Sequence, residues 1–244
     1  METNKPVLVF DVDGVCLIWF ANLPNFLEEK GICAENVIAA LETNSFLSLE
    51  EIFKQGCDNK NFAMLDEYNS SKHVGNLPAF EDKAVEVLGD LSKGFKLIAL
   101  TCIGSTDTHH NLRKGNLEAI YGEGTFDQVI CIDLGESKED YLREIAKTGE
   151  VVFFVDDSAK HIYEAERAGV KGYQFVSRMP LERIDENLDH LCSWSEIHNE
   201  ARAYLKDTMM QRITERMTIR KDSPLIAVSQ IMSGGQVGNI AHAV

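Results

Sequence analysis

Strand-like apolar runs recur along this chain at intervals too wide for hairpins, and that spacing restricts the fold more than any other feature. Val7-Leu-Val-Phe10 is one such run, and Lys96–Leu100, Gln128–Ile132, Val151–Val155 and Gly172–Val176 repeat the pattern. A short uninterrupted apolar run suits a strand buried on both faces. Helical periodicity fills the gaps over about 81–93, 106–121, 137–147 and 159–168. The first of these places Ala84, Val87, Leu88 and Leu91 on one face, with Gly94 as its stop. Asp157-Ser158 offers a cap for the last, and Gly169 ends it. Strands separated by helices of this length are joined by right-handed crossovers into a parallel sheet. The expected fold class is therefore α/β, a three-layer, doubly wound parallel sheet.

Two regions break the alternation. Residues 17–79 read as helical throughout, over Phe20–Lys30, Ala34–Leu41, Leu47–Gly56 and Phe62–Tyr68. This predicts a core made of residues 1–18 and 80–193, with 19–79 inserted as a helical cap. From Trp194 onward, apolar residues at Ile197, Ala201, Tyr204, Leu205, Met209, Ile213 and Met217 predict one long amphipathic helix. Residues 194–244 thus form a third region, a helix and tail whose stripe would pack on the body or pair two copies into a homo-oligomer. Within it, Ser233-Gly-Gly-Gln-Val-Gly238 is followed by no Lys-Ser/Thr and opens no helix. It reads as a flexible tail rather than a phosphate loop.

At 244 residues, 44% of them hydrophobic, the chain can bury a full core. No stretch approaches 18 consecutive apolar residues, so no membrane span is expected. With no basic start and long hydrophobic region there is no expected secretory signal, which leaves a cytoplasmic reading. The cysteines at 16, 33, 57, 102, 131 and 192 form no Cys-x-x-Cys pair and read as reduced thiols. A net charge of −15 opposes sequence-independent binding to nucleic acid or anionic membrane. A phosphate site here would need a metal and a few local cations.

Chemistry-bearing residues cluster at the carboxyl ends of the expected strands, the edge where open α/β sheets bind ligands. Asp11-Val-Asp13-Gly14 follows the first strand. With 16 Asp in the chain, one Asp-x-Asp pair is expected by chance, so placement is what informs. One carboxylate there could attack phosphorus while the other protonates the leaving group. Thr101-Cys102 follows the second strand, where a hydroxyl and helix-opening N–H groups hold phosphoryl oxygens or simply cap a helix. Lys138 opens a helix, where it could neutralise developing charge or lie on the surface. Asp156-Asp157 follows Val-Val-Phe-Phe-Val, and adjacent carboxylates are costly to crowd together without a cation. Magnesium takes hard oxygen ligands, which Asp11, the backbone carbonyl of Asp13, Asp156 and Asp157 provide.

In this order, strand–Asp-x-Asp-Gly-Val, strand–Thr, Lys and strand–Asp-Asp resemble the signature of the haloacid dehalogenase superfamily across about residues 7–176. The resemblance implies Asp11 as nucleophile and Asp13 as general acid/base. It also implies phosphate binding by Thr101, Cys102 and Lys138, and Mg2+ held by Asp11, Asp13, Asp156 and Asp157. Cys102 stands where relatives often carry Asn. Asp13 favours phosphate esters over carbon–halogen bonds, because a halide leaves without a proton. The insertion resembles the caps of small-cap metabolite phosphatases. Thr101 and Lys138 are only 37 positions apart, too close for a large second cap.

The expectation is a magnesium-dependent phosphatase acting on a small phosphorylated metabolite through an aspartyl-phosphate. A phosphomutase or nucleotidase would need the same residues, and a catalytically silent binding module is the alternative outside the enzyme class. Lys54, Lys60, Lys72 and His73 of the insertion could meet a substrate, but each reads first as an ordinary surface residue.

Overall fold

The computed structural model describes residues 5–43, 45–177 and 183–221. The chain divides into two compact units, residues 1–199 and 200–244. The first holds one parallel sheet of β1 (Val7–Phe10), β2 (Lys96–Cys102), β3 (Gln128–Ile132), β4 (Val151–Asp156), β5 (Gly172–Phe175) and β6 (His190–Leu191). Their order is β3-β2-β1-β4-β5-β6. The chain winds outward from β1 in one direction, then restarts at β4 on the other side of β1. The sheet therefore reverses between β1 and β4, and such a reversal opens a crevice at the carboxyl ends.

The side-chain period of two explains why β1 has no polar residue. Val7 and Val9 face a core with Ile98, Leu100 and Phe154, closed by Leu142 and Ile145 of α7 (Glu139–Thr148) and Ile162 and Ala165 of α8 (Ala159–Arg167). Phe10, pointing the other way, stacks on Trp194 at 5.6 Å and meets Phe153 edge-on at 6.5 Å. Each such fully buried side chain contributes about 1.5–3 kcal/mol. The sheet is covered on both faces, which is the three-layer arrangement expected. α5 (Asp82–Gly94) buries Ala84, Val87, Leu88 and Leu91 as its periodicity predicts. The expected cap of α8 differs: Ser158 makes no side-chain cap bond, and Asp156 instead accepts from its N–H.

Between β1 and α5 the regular elements among the described residues are helical apart from isolated bridges: a 3-10 turn Trp19–Asn22, then α1 (Leu23–Glu29), α2 (Glu35–Thr43), α3 (Leu49–Phe53), α4 (Asp58–Asn69) and a second turn Lys72–Asn76. Entry and exit run side by side, Leu17 bridging Ala79 and Ile18 N–H donating to Pro78 O. The insertion has aromatic packing of its own, with Tyr68 meeting Trp19 at 4.9 Å and Phe26 at 5.2 Å.

A last helix, α9 (Trp194–Lys221), runs across the division at 199/200. Trp194 and Ile197 are buried, whereas Leu205, Met209 and Ile213 are exposed. Ala201 is buried as well, so within a single chain the stripe is covered from Trp194 to Ala201 and exposed at Leu205, Met209 and Ile213. Leu225–Met232 and the glycine-rich segment 233–238 lie outside the described residues. Among the described residues, no helix is long and apolar enough to cross a membrane.

Candidate active site

The reversal between β1 and β4 sets Asp11 beside Asp156, because Phe10 pairs in register with Val155 and each carboxylate follows directly after its member of that pair. Asp11 N–H donates to Val155 O at 2.8 Å, which locks that alignment. The carboxylates of Asp11, Asp156 and Asp157 converge, with one oxygen of each within 4.8 Å of the others, and all three residues are buried. Gly14 has φ +85°, a conformation that glycine adopts without strain, and turns the chain into the insertion.

Lys138 sits among these acids. Its Nζ lies 2.5 Å from Asp11 Oδ1 and 2.6 Å from Asp156 Oδ2, and its side chain is fully buried. Its backbone N–H donates to the buried carboxylate of Glu164 at 2.8 Å. Burial alone would lower the lysine's pKa, but Asp11 and Asp156 raise it well above its ordinary value. Lys147, by contrast, pairs with exposed Glu144. The geometry therefore brings Lys138 to the acids and leaves the neighbouring lysine outside.

Asp13 leads a separate arrangement. Arg113 Nη2, from α6 (Asp107–Tyr121), lies 2.9 Å from its Oδ1 and 3.0 Å from its Oδ2, and Thr101 Oγ1 donates to Oδ2 at 3.4 Å. The side chain of Asp13 is thus held by Arg113 and Thr101, and does not join the convergent set of Asp11, Asp156 and Asp157. Thr101 is no helix cap. It lies inside β2, which extends through Cys102, and Thr106 caps α6 instead.

Two charged residues were not foreseen. Arg113 is fully buried, as are His109 and Asn116 on the same helix face. This polar face has definite partners: His109 pairs with Thr106, and Asn116 bonds both the N–H and C=O of Leu77 where the insertion ends. The i, i+4, i+7 spacing of His109, Arg113 and Asn116 was the available signal, but charged residues in a helix ordinarily mark its solvated side. His161, in the first turn of α8, places Nδ1 at 3.1 and 3.2 Å from the two Asp156 oxygens and Nε2 at 3.9 Å from Cys102 Sγ.

Burial pushes the Asp11 carboxyl up to about 7, with Lys138 opposing and Asp156 and Asp13 adding to the rise. At Asp156 burial is outweighed by Lys138 and His161, which hold it at about 2. Burial would lower His161, but Asp156 raises it to about 10. Asp13 is raised, chiefly by burial and against the pull of Arg113. A divalent cation fits this donor set. Three buried carboxylates provide hard oxygen ligands, and Lys138 and His161 only partly compensate them.

Asp11, Asp13, Asp156, Asp157 and His161 open onto a cavity of about 390 Å³, which Lys138 does not line. Asp11, Asp13, Thr101, Cys102, Asp156 and Asp157 form its sheet side, and the insertion forms the other. Lys54, Lys60, Lys72 and His73, which read first as surface residues, do not line it. Lys72 and His73 pair with Glu29 instead, and Lys54 bonds Cys33 O.

No protein-family model matches the chain. An uncharacterised 32.4 kDa protein of Enterobacteria phage T4 is 25% identical over 197 residues, covering 80% of this chain and 69% of that one. A haloacid dehalogenase-like hydrolase of Streptococcus pneumoniae superposes with a TM-score of 0.57 at 16% identity, over 81% of this chain and 98% of that one. A protein of Clostridium acetobutylicum described as a predicted phosphatase gives 0.58 at 16%, with the same coverage. A dehalogenase captured with an intermediate gives 0.54 at 15%, over 81% and 96%. With its parallel sheet reversing beside Asp11 and its helices on both faces, the chain has the haloacid dehalogenase-like fold.

Proposed function

We propose that this protein is a magnesium-dependent phosphatase that hydrolyses a small phosphate monoester through an aspartyl-phosphate on Asp11. The observation that carries the reading is the buried convergence of Asp11, Asp156 and Asp157 around Lys138, with Asp13 two residues on and a cavity in front. Asp11, Asp156 and Asp157 would hold the cation, which supplies positive charge to the phosphoryl oxygens and keeps Asp11 ionised.

Asp11 attacks phosphorus with a carboxylate oxygen, and the bond from phosphorus to the ester oxygen breaks. The leaving alkoxide takes the proton of Asp13, whose raised pKa suits it to carry one. Lys138 and the Thr101 hydroxyl neutralise and orient the phosphoryl group, alongside Cys102 at the end of β2. Water then attacks phosphorus and passes its proton to Asp13. The bond from phosphorus to Asp11 breaks, which releases inorganic phosphate and restores both carboxyls.

Asp13 is also what separates this reading from carbon–halogen hydrolysis, since a departing halide needs no proton. The test is phosphate release from acetyl phosphate and alkyl phosphates with Mg2+, repeated in EDTA, with acid-quenched phosphoenzyme sought by mass spectrometry. A phosphate adduct on Asp11 and loss of turnover in EDTA are expected. Full turnover in EDTA would overturn the metal, and turnover by Asp11→Asn would overturn the covalent route.

A further inference from the structure

The insertion side of the cavity carries chemistry of its own. Trp19, Phe20, Phe46, Ile52, Phe62 and Leu65 dominate it. Phe46 and Phe62 are 37% and 47% exposed on this wall, although burying large apolar side chains is favourable. The wall is also fixed in place. Trp19 Nε1 donates to the buried Asn69 Oδ1 at 2.9 Å, and Tyr68 OH donates to Trp19 O at 2.7 Å.

Of the insertion's polar groups on the cavity, Ser48 Oγ, Trp19 Nε1 and Asn69 Oδ1 are already engaged, which leaves the Asn69 amide N–H2. Ser48 Oγ bonds the Glu51 backbone and carboxylate as part of the α3 cap, and Trp19 takes the Asn69 carbonyl. Among the described residues, no Lys or Arg of the insertion lines the space. Arg183 lies over the Phe46 ring at 5.6 Å but is not itself a lining residue. A second phosphate or a carboxylate on the leaving group would meet no insertion cation there, and sugar hydroxyls would lose water for a single amide partner, Asn69.

We infer that the leaving group is apolar: the substrate is a phosphate monoester of an aromatic or branched aliphatic alcohol, seated between the sheet-edge carboxylates and this aromatic wall. The inference rests on the phosphatase reading and deepens it by naming the substrate class. Such a body would cover Phe46 and Phe62 and fits the size usual for small-molecule sites, about 300–1,000 Å³.

The experiment compares kcat/KM of the full chain with Mg2+ on benzyl and 2-phenylethyl phosphate against glucose 6-phosphate and AMP. All four leave as primary alkoxides, so the comparison reads the wall rather than leaving-group chemistry. Acetyl phosphate, too small to need the wall, reports on the phosphatase reading alone. The expected preference for the aromatic esters is about 10²-fold. Phe62→Ser and Phe46→Ser, made separately on different elements, should each shrink that preference by about 10-fold, and the exposure of both side chains protects the fold. Equal or faster turnover of glucose 6-phosphate or AMP overturns the inference while the phosphatase reading stands. A preference unchanged in both variants also overturns it. Failure on every ester including acetyl phosphate overturns the phosphatase reading, and the inference falls with it.

Discussion

On the sheet side of the cavity, Asp11, Asp156, Asp157, Lys138 and Arg113 are all buried, and opposite charges meet within 2.5–3.0 Å. On the insertion side, apolar rings face the cavity with two of them partly open to water, and Ser48 Oγ, Trp19 Nε1 and Asn69 Oδ1 bond within the insertion. The first side stores unfavourable burial of charge that a cation and a phosphoryl group would relieve. The second leaves apolar surface that a ligand would cover. On the proposed reading the sheet would carry the chemistry and the insertion the selection, a division that can be broken from either side.

The largest effects belong to Asp11 and Asp13. Asp11→Asn keeps the shape of the side chain but removes the attacking oxygen, so turnover should fall by at least about 10⁴-fold and no phosphoenzyme should form. Asp13→Asn leaves the nucleophile and removes the acid. In single-turnover kinetics, alkyl phosphates should lose about 10²–10⁴-fold, and an activated aryl phosphate such as p-nitrophenyl phosphate should lose much less. Equal losses for both leaving groups would remove Asp13 from the acid role and leave it as the partner of Arg113.

Next comes Lys138. Lys138→Met strips the buried Asp11 and Asp156 of their shared cation and should cost about 3–5 kcal/mol of stability in EDTA. Mg2+ should then restore more stability to the variant than it adds to the native protein, because it replaces a missing charge. Urea titrations of both proteins with and without Mg2+ measure this without reference to activity. A loss below about 1 kcal/mol in EDTA would mean that the carboxylates do not need the lysine.

His161 gives a smaller, pH-dependent effect. Asp156 raises its pKa from an ordinary 6.5 to about 10, so the folded state binds the proton more tightly than the unfolded chain does. The resulting stabilisation is complete below about pH 6.5 and is lost as pH rises toward 10. In metal-free buffer, the native melting temperature should fall between pH 7 and 10 by more than that of His161→Gln. Parallel curves would show that the ring is not charged against Asp156.

How much of each side could be read beforehand follows from the same contrast. β1 to β5 and the residues at their ends were legible because a buried strand is an unbroken apolar run and its end fixes where the next side chain lies. Asp11, Thr101 and Asp156 come to one edge for that reason alone. β6, with two residues, is too short to leave a pattern. Arg113 was missed because its charge is buried by a partner 100 positions away in sequence, and nothing local to α6 announces Asp13. The insertion was legible in part. Its helices could be read, but which face turned toward the cavity depended on tertiary packing, and its basic residues at 54, 72 and 73 went to Glu29 and to backbone, as surface residues do.

Ser48 offers the finest test of the contrast, because it is a hydroxyl on the apolar wall. Its Oγ accepts from Glu51 N–H while the Glu51 carboxylate accepts from Ser48 N–H, a reciprocal cap that starts α3. If the hydroxyl serves only the fold, Ser48→Ala should cost about 0.5–2 kcal/mol of stability and leave KM for benzyl phosphate within about 2-fold at a temperature where the variant is fully folded. Ser48→Asp, which can still cap the helix, should recover most of the stability but place a carboxylate on the wall. A phosphate ester should then bind more weakly, because like charge in a partly dry cavity is poorly screened. The two variants thus separate capping from contact: one removes the cap and spares the wall, the other keeps the cap and charges the wall. A KM that rises several-fold in Ser48→Ala would place the hydroxyl on the substrate, and the insertion would then read its ligand through polar contacts as well as through its rings.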